Sequence, residues 1–222
     1  MLNKSYNLRC LFLVWLAFLA PALANAQDSA YLSDVGYSGT GCPLGTAGAV
    51  LSPDGTSVSV LFDDFIIDSN EPSSVRSRLA KVCQINMTLN VPYGYQARVV
   101  QIDARGYINL PSAVNARTVL SLRMTNRISR VPVNVVGRQT RVFNGPVDDL
   151  YTLSYTAETD RWSACGQPAE VTVHLAGSLS QPRSRSAEGA LLTFDSVDAA
   201  TETAISYMIE WQRCDNTLRL AK

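Results

Sequence analysis

Histidine is almost missing from this chain. His174 is the only one in 222 residues, and serine, cysteine and zinc hydrolases ordinarily require at least one histidine at the reacting centre. His174 lies between Val173 and Leu175. If Val171, Val173 and Leu175 face a core, His174 faces the other way, as an ordinary polar residue of a half-solvated strand. No Cys-x-x-Cys pair is present, so a zinc site has neither of its usual ligand types at the usual spacing. Lysine is nearly as scarce, with only Lys4, Lys81 and Lys222, so arginine carries the basic charge. There is no amphipathic helical pattern of ten residues, internal repeat, low-complexity tract or linker. Helical and multi-domain architectures are therefore poor expectations.

The longest apolar run, residues 10–20, is too short to cross a bilayer. It follows the basic residues Lys4 and Arg9, is broken by Pro21 and leads to Ala24-Asn25-Ala26. This is the layout of a cleaved export signal, with processing expected between Ala26 and Gln27. Removing 26 residues leaves 196, with 17 basic and 19 acidic side chains and a formal net charge of −2. That balance does not suit a nucleic-acid partner, and no second run in the mature chain is long enough for a transmembrane segment. The expected location is secreted: extracellular, or periplasmic if the source is a Gram-negative bacterium.

Cys10 leaves with the signal. Cys42, Cys83, Cys165 and Cys214 remain, and an even number in an exported chain argues for two disulfides. Four cysteines allow three connectivities. Pairing within each half, Cys42 with Cys83 and Cys165 with Cys214, is the favoured one. Closing loops of this length stabilises by about 4 kcal/mol each in the chain-entropy account.

Short alternating segments follow one another along the chain. Ser52-Pro53-Asp54-Gly55 is strong turn chemistry. Ala49 and Leu51 before it, with Val58, Val60 and Phe62 after it, predict a β-hairpin. Cys83, Ile85, Met87, Leu89 and Val91 share one face of the next strand. Residues 97–103 read as a strand with Ala97, Val99 and Gln101 on one face, ended by Arg105-Gly106-Tyr107. Residues 114–124, 131–143, 151–155, 171–175, 191–194 and 205–211 complete the set. In the last, Ile205, Tyr207, Ile209 and Trp211 share a face. Ser73–Leu79 could supply a turn of helix, and Ser180–Glu188 reads as a loop. About ten strands joined by turns predict an all-β fold: a disulfide-stapled antiparallel β-sandwich of jelly-roll type, one domain over residues 27–222.

An ordered series of short motifs runs through the mature chain. It comprises Gly41-Cys42-Pro43, Gly45-Thr46, Leu51–Phe65, Cys83-Gln84, Pro92-x-Gly94-Tyr95, Asp103 with Arg105-Gly106-Tyr107, Gly145-Pro146, Trp162-Ser163-x-Cys165-Gly166, Asp195-Ser196 and Trp211-x-x-Cys214. The series resembles a secreted family catalogued as domain of unknown function 4360, over about residues 38–214. The resemblance implies a small exported protein of fungi and bacteria with paired cysteines and no established activity. It brings no catalytic residues.

Carboxylates are the remaining catalytic option. Asp63-Asp64 and Asp148-Asp149 are doublets whose members point to opposite faces of a strand. A glycosidase pair would have to come from separate segments, such as Asp63 with Asp148, or from Asp195. Asp63, Asp64, Asp68, Asn70 and Glu71 could offer oxygens to calcium, but the spacing is not that of an EF-hand loop. No metal or cofactor is expected. Between residues 104 and 147 stand seven arginines (Arg105, Arg117, Arg123, Arg127, Arg130, Arg138 and Arg141) and no acid. They form either a solvated face paired to neighbouring acids or a surface for an anionic polymer. Trp162 and Trp211 each precede a cysteine by three residues; they form either an aromatic platform for sugar rings or, the favoured expectation, pack against a core disulfide. Tyr93, Tyr95 and Tyr107 lie near turns and are the better candidates for an exposed aromatic ligand surface, with Arg117 and Arg123 beside them as candidates. Asn86-Met87-Thr88 is the one mature glycosylation sequon. These residues favour a secreted non-catalytic protein that binds polysaccharide or a cell-envelope surface. The alternatives are a carboxylate-based glycan hydrolase or lyase, and a structural or protective exported protein. Sequence leaves the oligomeric state open.

Overall fold

In a computed structural model the chain folds into twelve strands, described over residues 29–70, 79–157, 161–180, 189–194 and 205–214. The strands, numbered in chain order, form two antiparallel sheets. The first contains, side by side, β1 (Tyr31–Ser38), β5 (Ala80–Asn90), β10 (Ala169–Ser180), β7 (Asn115–Asn126) and β8 (Pro132–Asn144). The second contains β2 (Ala47–Leu51), β3 (Ser57–Phe62), β12 (Ile205–Arg213), β6 (Tyr95–Leu110), β11 (Leu191–Thr193) and β4 (Ile66–Asp68). β9 (Val147–Thr156) occupies the other edge of β6. The sheets enclose one apolar core, as the all-β sandwich reading requires. The signal cleavage site, residues 73–78, the 181–188 stretch and Asp195 lie outside the described residues.

Alternation decides which side chains enter that core. Cys83, Ile85, Met87 and Leu89 of β5 are buried, as are Val171, Val173 and Leu175 of β10 and Ala116, Leu120, Leu122 and Met124 of β7. Gln84, Asn86, Arg117 and Arg123 face water. The β2–β3 hairpin forms as its turn predicts, pairing Leu51 with Val58 and Ala49 with Val60.

The 97–103 segment departs from the sequence reading in two ways. Ala97 and Val99 point inward, but so do Ile102 and Ala104, while Gln101 turns outward. The cause is a bulge: Met208 pairs with Gln101 and the next residue, Ile209, pairs with Val99, so Val100 is the extra residue and the inward parity changes there. Nor does Arg105-Gly106-Tyr107 end the strand; β6 runs straight through it for 16 residues. Gly106 is required because β6 is crowded at that point. A Cβ there would stand 2.0 Å from the Thr193 carbonyl oxygen and 2.6 Å from the Tyr151 hydroxyl, two groups already joined by a hydrogen bond. β1 and β4 are strands that the alternation did not announce. β1 is a mostly exposed edge strand, with an irregularity between Ser33 and Gly36, and β4 has only three residues.

Both disulfides join cysteines within one half of the chain. Cys42–Cys83 is in the core, with 1% and 0% of the two residues exposed. Cys165–Cys214 is at the surface, where Cys165 is exposed and Cys214 half-buried.

Two outcomes follow. Gly106→Ala should destabilise the fold by about 3 kcal/mol, the upper end for an overpacked site, read as a lower denaturant midpoint at unchanged slope. Mild reductant should open Cys165–Cys214 before Cys42–Cys83, because exchange needs access to a sulfur. Differential alkylation with mass spectrometry reads the order, and simultaneous opening would contradict it.

Candidate functional site: an aromatic cleft at one end of the sandwich

At the end where β12 finishes and β6 begins, an open cleft of about 290 Å³ is lined by Ser29, Ala30, Pro53, Asp54, Gly55, Pro92, Tyr95 and Trp211. One wall is the turn of the β2–β3 hairpin. Its backbone closes through Gly55 N–H donating to Ser52 O at 2.8 Å and Ser52 N–H to Ser57 O at 2.8 Å. Gly55 takes φ of 71°, the left-handed conformation this turn requires. Asp54 Oδ1 accepts from Ser52 Oγ at 2.6 Å and from Thr56 N at 3.1 Å.

β12 fixes this turn in place. Trp211 Nε1 donates to Gly55 O at 2.8 Å, and Ile209 N donates to Thr56 O at 2.7 Å. The indole is thereby anchored at its polar edge while remaining half-buried at the cleft. Trp211 is the last member of the row Ile205, Tyr207, Ile209, Trp211. The first three are buried, and the fourth has run past the end of the core.

The opposite wall is the start of β6. Tyr95 N donates to Pro92 O. Gly166 N bonds Tyr95 O at 2.8 Å and Cys214 N bonds Gly94 O at 2.8 Å, so the surface disulfide clamps the two segments that hold Gly94-Tyr95. Next to it, Ser163 Oγ and N bond Ala97 N and O, each at 2.9 Å. Arg213 lies over the Tyr95 ring at 5.8 Å and donates from Nε to its hydroxyl at 3.3 Å.

Of the sequence candidates, the fold brings together Tyr93 and Tyr95 only. Tyr95 lines the cleft; Tyr93, in the adjacent turn, is 90% exposed. Tyr107 is not at a turn. It lies mid-strand, twelve residues along β6 from Tyr95, on the order of 40 Å at the usual rise, and donates to Asp148 Oδ1. That bond pushes the Tyr107 phenol up from its ordinary pKa. Arg117 and Arg123 project from the outer face of the first sheet, away from the cleft. Arg127 pairs with Asp34 at 3.1 Å and Arg130 with Glu170, so part of the arginine run meets acids from neighbouring strands.

The expectation that both tryptophans pack against a core disulfide is corrected, since Cys165–Cys214 is a surface bridge and both indoles are half-buried. Trp162 has one ring face covered by the Arg98 guanidinium at 4.6 Å, whereas Trp211 lines the cleft. Asp64 faces Lys81 Nζ at 3.3 Å, and Asp68 accepts from Asn70 N. Pro53 and Asp54, read from the sequence only as turn formers, and Trp211, read by preference as packed against a disulfide, line the cleft. The signal for Trp211 was its place at the end of the row, one step past the buried positions.

Asp54 carries the electrostatics of the cleft. The Ser52 hydroxyl, then the Thr56 backbone and side chain, hold its carboxyl below the ordinary value. These bonds favour the charged form, so their contribution is complete above the unfolded-chain pKa and is lost as pH falls through the lower folded value. A carboxyl-carbon NMR titration should therefore place the Asp54 midpoint below that of an unstructured aspartate, and Ser52→Ala should move it back up. A midpoint at or above the ordinary value would contradict the hydrogen-bonded turn.

The carbohydrate-binding module TmCBM61, solved with beta-1,4-galactotriose, is 10% identical with a TM-score of 0.25, covering 82% of this chain and 90% of the module. The arabinose-bound MgGH51 α-L-arabinofuranosidase is 8% identical with a TM-score of 0.26, covering 75% of this chain and 23% of the enzyme. Neither likeness is close enough to bear on function. An uncharacterized secreted protein of Arthroderma benhamiae is 29% identical over 191 residues, spanning 85% of this chain and 74% of that protein. With a secreted relative and two disulfides, the protein is a secreted one. The model of the domain of unknown function DUF4360 matches residues 28–214, and the chain belongs to that family.

Proposed function

We propose that this secreted protein is a glycan-binding module and that the Trp211–Tyr95 cleft is where it holds a sugar ring. One observation carries the reading: aromatic rings from β12 and β6 converge, with a single carboxylate, on an open cleft at the end of a rigid sandwich. A sugar ring presents an apolar C–H face and a rim of hydroxyls. The first suits an indole or phenol ring, and the second suits the acceptor oxygens of Asp54. The cleft volume is at the small end of ligand sites, roughly 300–1,000 Å³, which fits a short stretch of chain or its terminus. Trp211 is held in place by its bond to Gly55 before any ligand arrives, so little ordering is left for binding to supply.

Binding without turnover fits the same lining. Glycoside hydrolysis uses two carboxylates roughly 5–10 Å apart, and Asp54 is the only carboxylate among the described residues around the cleft.

The test is titration calorimetry of the mature protein against neutral, acidic and basic oligosaccharides, with an assay for released reducing ends. Trp211→Ala and Tyr95→Ala should each weaken binding at least tenfold, about 1.4 kcal/mol. Tyr107→Ala and Arg123→Ala, on other surfaces, should bind as the parent does. The proposal fails if no glycan binds, if the Trp211 variant binds normally, or if reducing ends accumulate.

A further inference from the structure

We infer that the cleft selects a sugar bearing a free, protonated amino group: a de-N-acetylated amino sugar rather than a neutral or uronic acid residue. This rests on the glycan reading of the same cleft and adds the chemical class of the ligand. Two features converge on a cation. Asp54 is the sole charged side chain among the described lining residues, with no arginine or lysine beside it there. Trp211 presents the ring type that attracts a cation most strongly, while the Tyr95 ring already has the Arg213 guanidinium over it.

The negative charge is also fixed in position. Ser52 Oγ and Thr56 N both bind Asp54 Oδ1, which orients the carboxylate, and an ionised carboxylate keeps further lone pairs for an ammonium donor. Arg213 is engaged with the Tyr95 ring and hydroxyl and is not part of the lining. A uronic acid would bring a second negative charge next to Asp54 with no lining cation to meet it. An N-acetylated sugar would leave the charge of Asp54 unanswered.

Calorimetry at pH 6 and low salt with three β-1,4-linked tetrasaccharides decides the matter: fully deacetylated glucosamine, its fully N-acetylated form, and the glucose analogue. The free-amine tetramer should bind at least tenfold tighter than the other two. That margin should shrink in about 0.5 M salt, where ion pairs are screened. Asp54→Asn keeps an oxygen to accept from Ser52 and Thr56, so the turn should stand, but the preference for the amine should disappear. Asp148→Asn, which removes a charge far from the cleft, should leave the preference intact. Equal binding of all three, or tighter binding of either uncharged tetramer, would sink the inference and leave the glycan reading standing. Loss of the preference in Asp148→Asn would assign it to general polycation attraction and also overturn the inference. If no sugar of any class binds, both readings fall together.

Discussion

A series of aromatic rings runs from one sheet to the other, and Phe65 stands near its head. Phe65 belongs to no strand, yet it is completely buried. Its ring stands edge-on to Phe62 at 5.9 Å and to Phe194 at 4.9 Å. Phe194 in turn meets Tyr151 at 5.9 Å, and Tyr151 meets Phe143 at 5.1 Å. That series of rings starts on β3 of the second sheet and ends on β8 of the first. Each edge contact adds roughly 0.5–1.5 kcal/mol beyond the area it removes from water. The backbone takes part as well: Phe65 O accepts from Phe194 N at 3.1 Å, just beyond the pairing of β4 with β11. The aromatic content of the chain is modest, but much of it is spent in this one contiguous contact.

The two disulfides do different work on this frame. Cys42–Cys83 is buried within the core that contains Phe65, and it ties the loop after β1 to β5. Cys165–Cys214 lies outside the core. What it holds is local: Gly166 and Cys214, on its two sides, each donate a backbone hydrogen bond to Gly94-Tyr95. The bridge thus fixes a cleft wall, while Trp211, three residues before Cys214, fixes the facing turn. Both walls of the cleft are set by one strand end, the last four residues of β12 and the cysteine that follows.

That arrangement explains what could be read from the residues alone. β5, β7 and β10 alternate cleanly because each has one face in the core and one in water, so their inward rows were legible. β6 was not. It has a bulge at Val100 that changes parity, and Gly106 under Tyr151 and Thr193, where a glycine that reads locally as a break is needed for close packing. β1 was hidden because an exposed edge strand has no buried row to show. For the cleft, Asp54 was legible as a turn former and Trp211 as the end of an apolar row. Their meeting depends on β12 pairing with β3, a contact between residues about 150 positions apart, which local pattern does not encode.

The charge distribution limits where binding can be sought. Two arginines of the 104–147 run are paired, Arg127 to Asp34 and Arg130 to Glu170. Arg141 occupies an inward register position on β8, opposite buried Thr118, yet is exposed and lies over the Phe143 ring at 5.1 Å. A charge at such a place on an edge strand blocks pairing with another chain, so Arg141 has a structural use of its own. Four arginines of the run remain: Arg105 exposed on β6, Arg138 exposed on β8, and Arg117 and Arg123 on β7. The last two are six residues apart, about 20 Å at the rise of a strand, a separation at which physiological salt, screening within about 8 Å, leaves them little joint potential. The cleft gathers two rings and a fixed carboxylate into one small volume, and its geometry is set by backbone hydrogen bonds rather than by long side chains. Among the described surfaces, that fixed geometry is what supports placing the proposed ligand in the cleft.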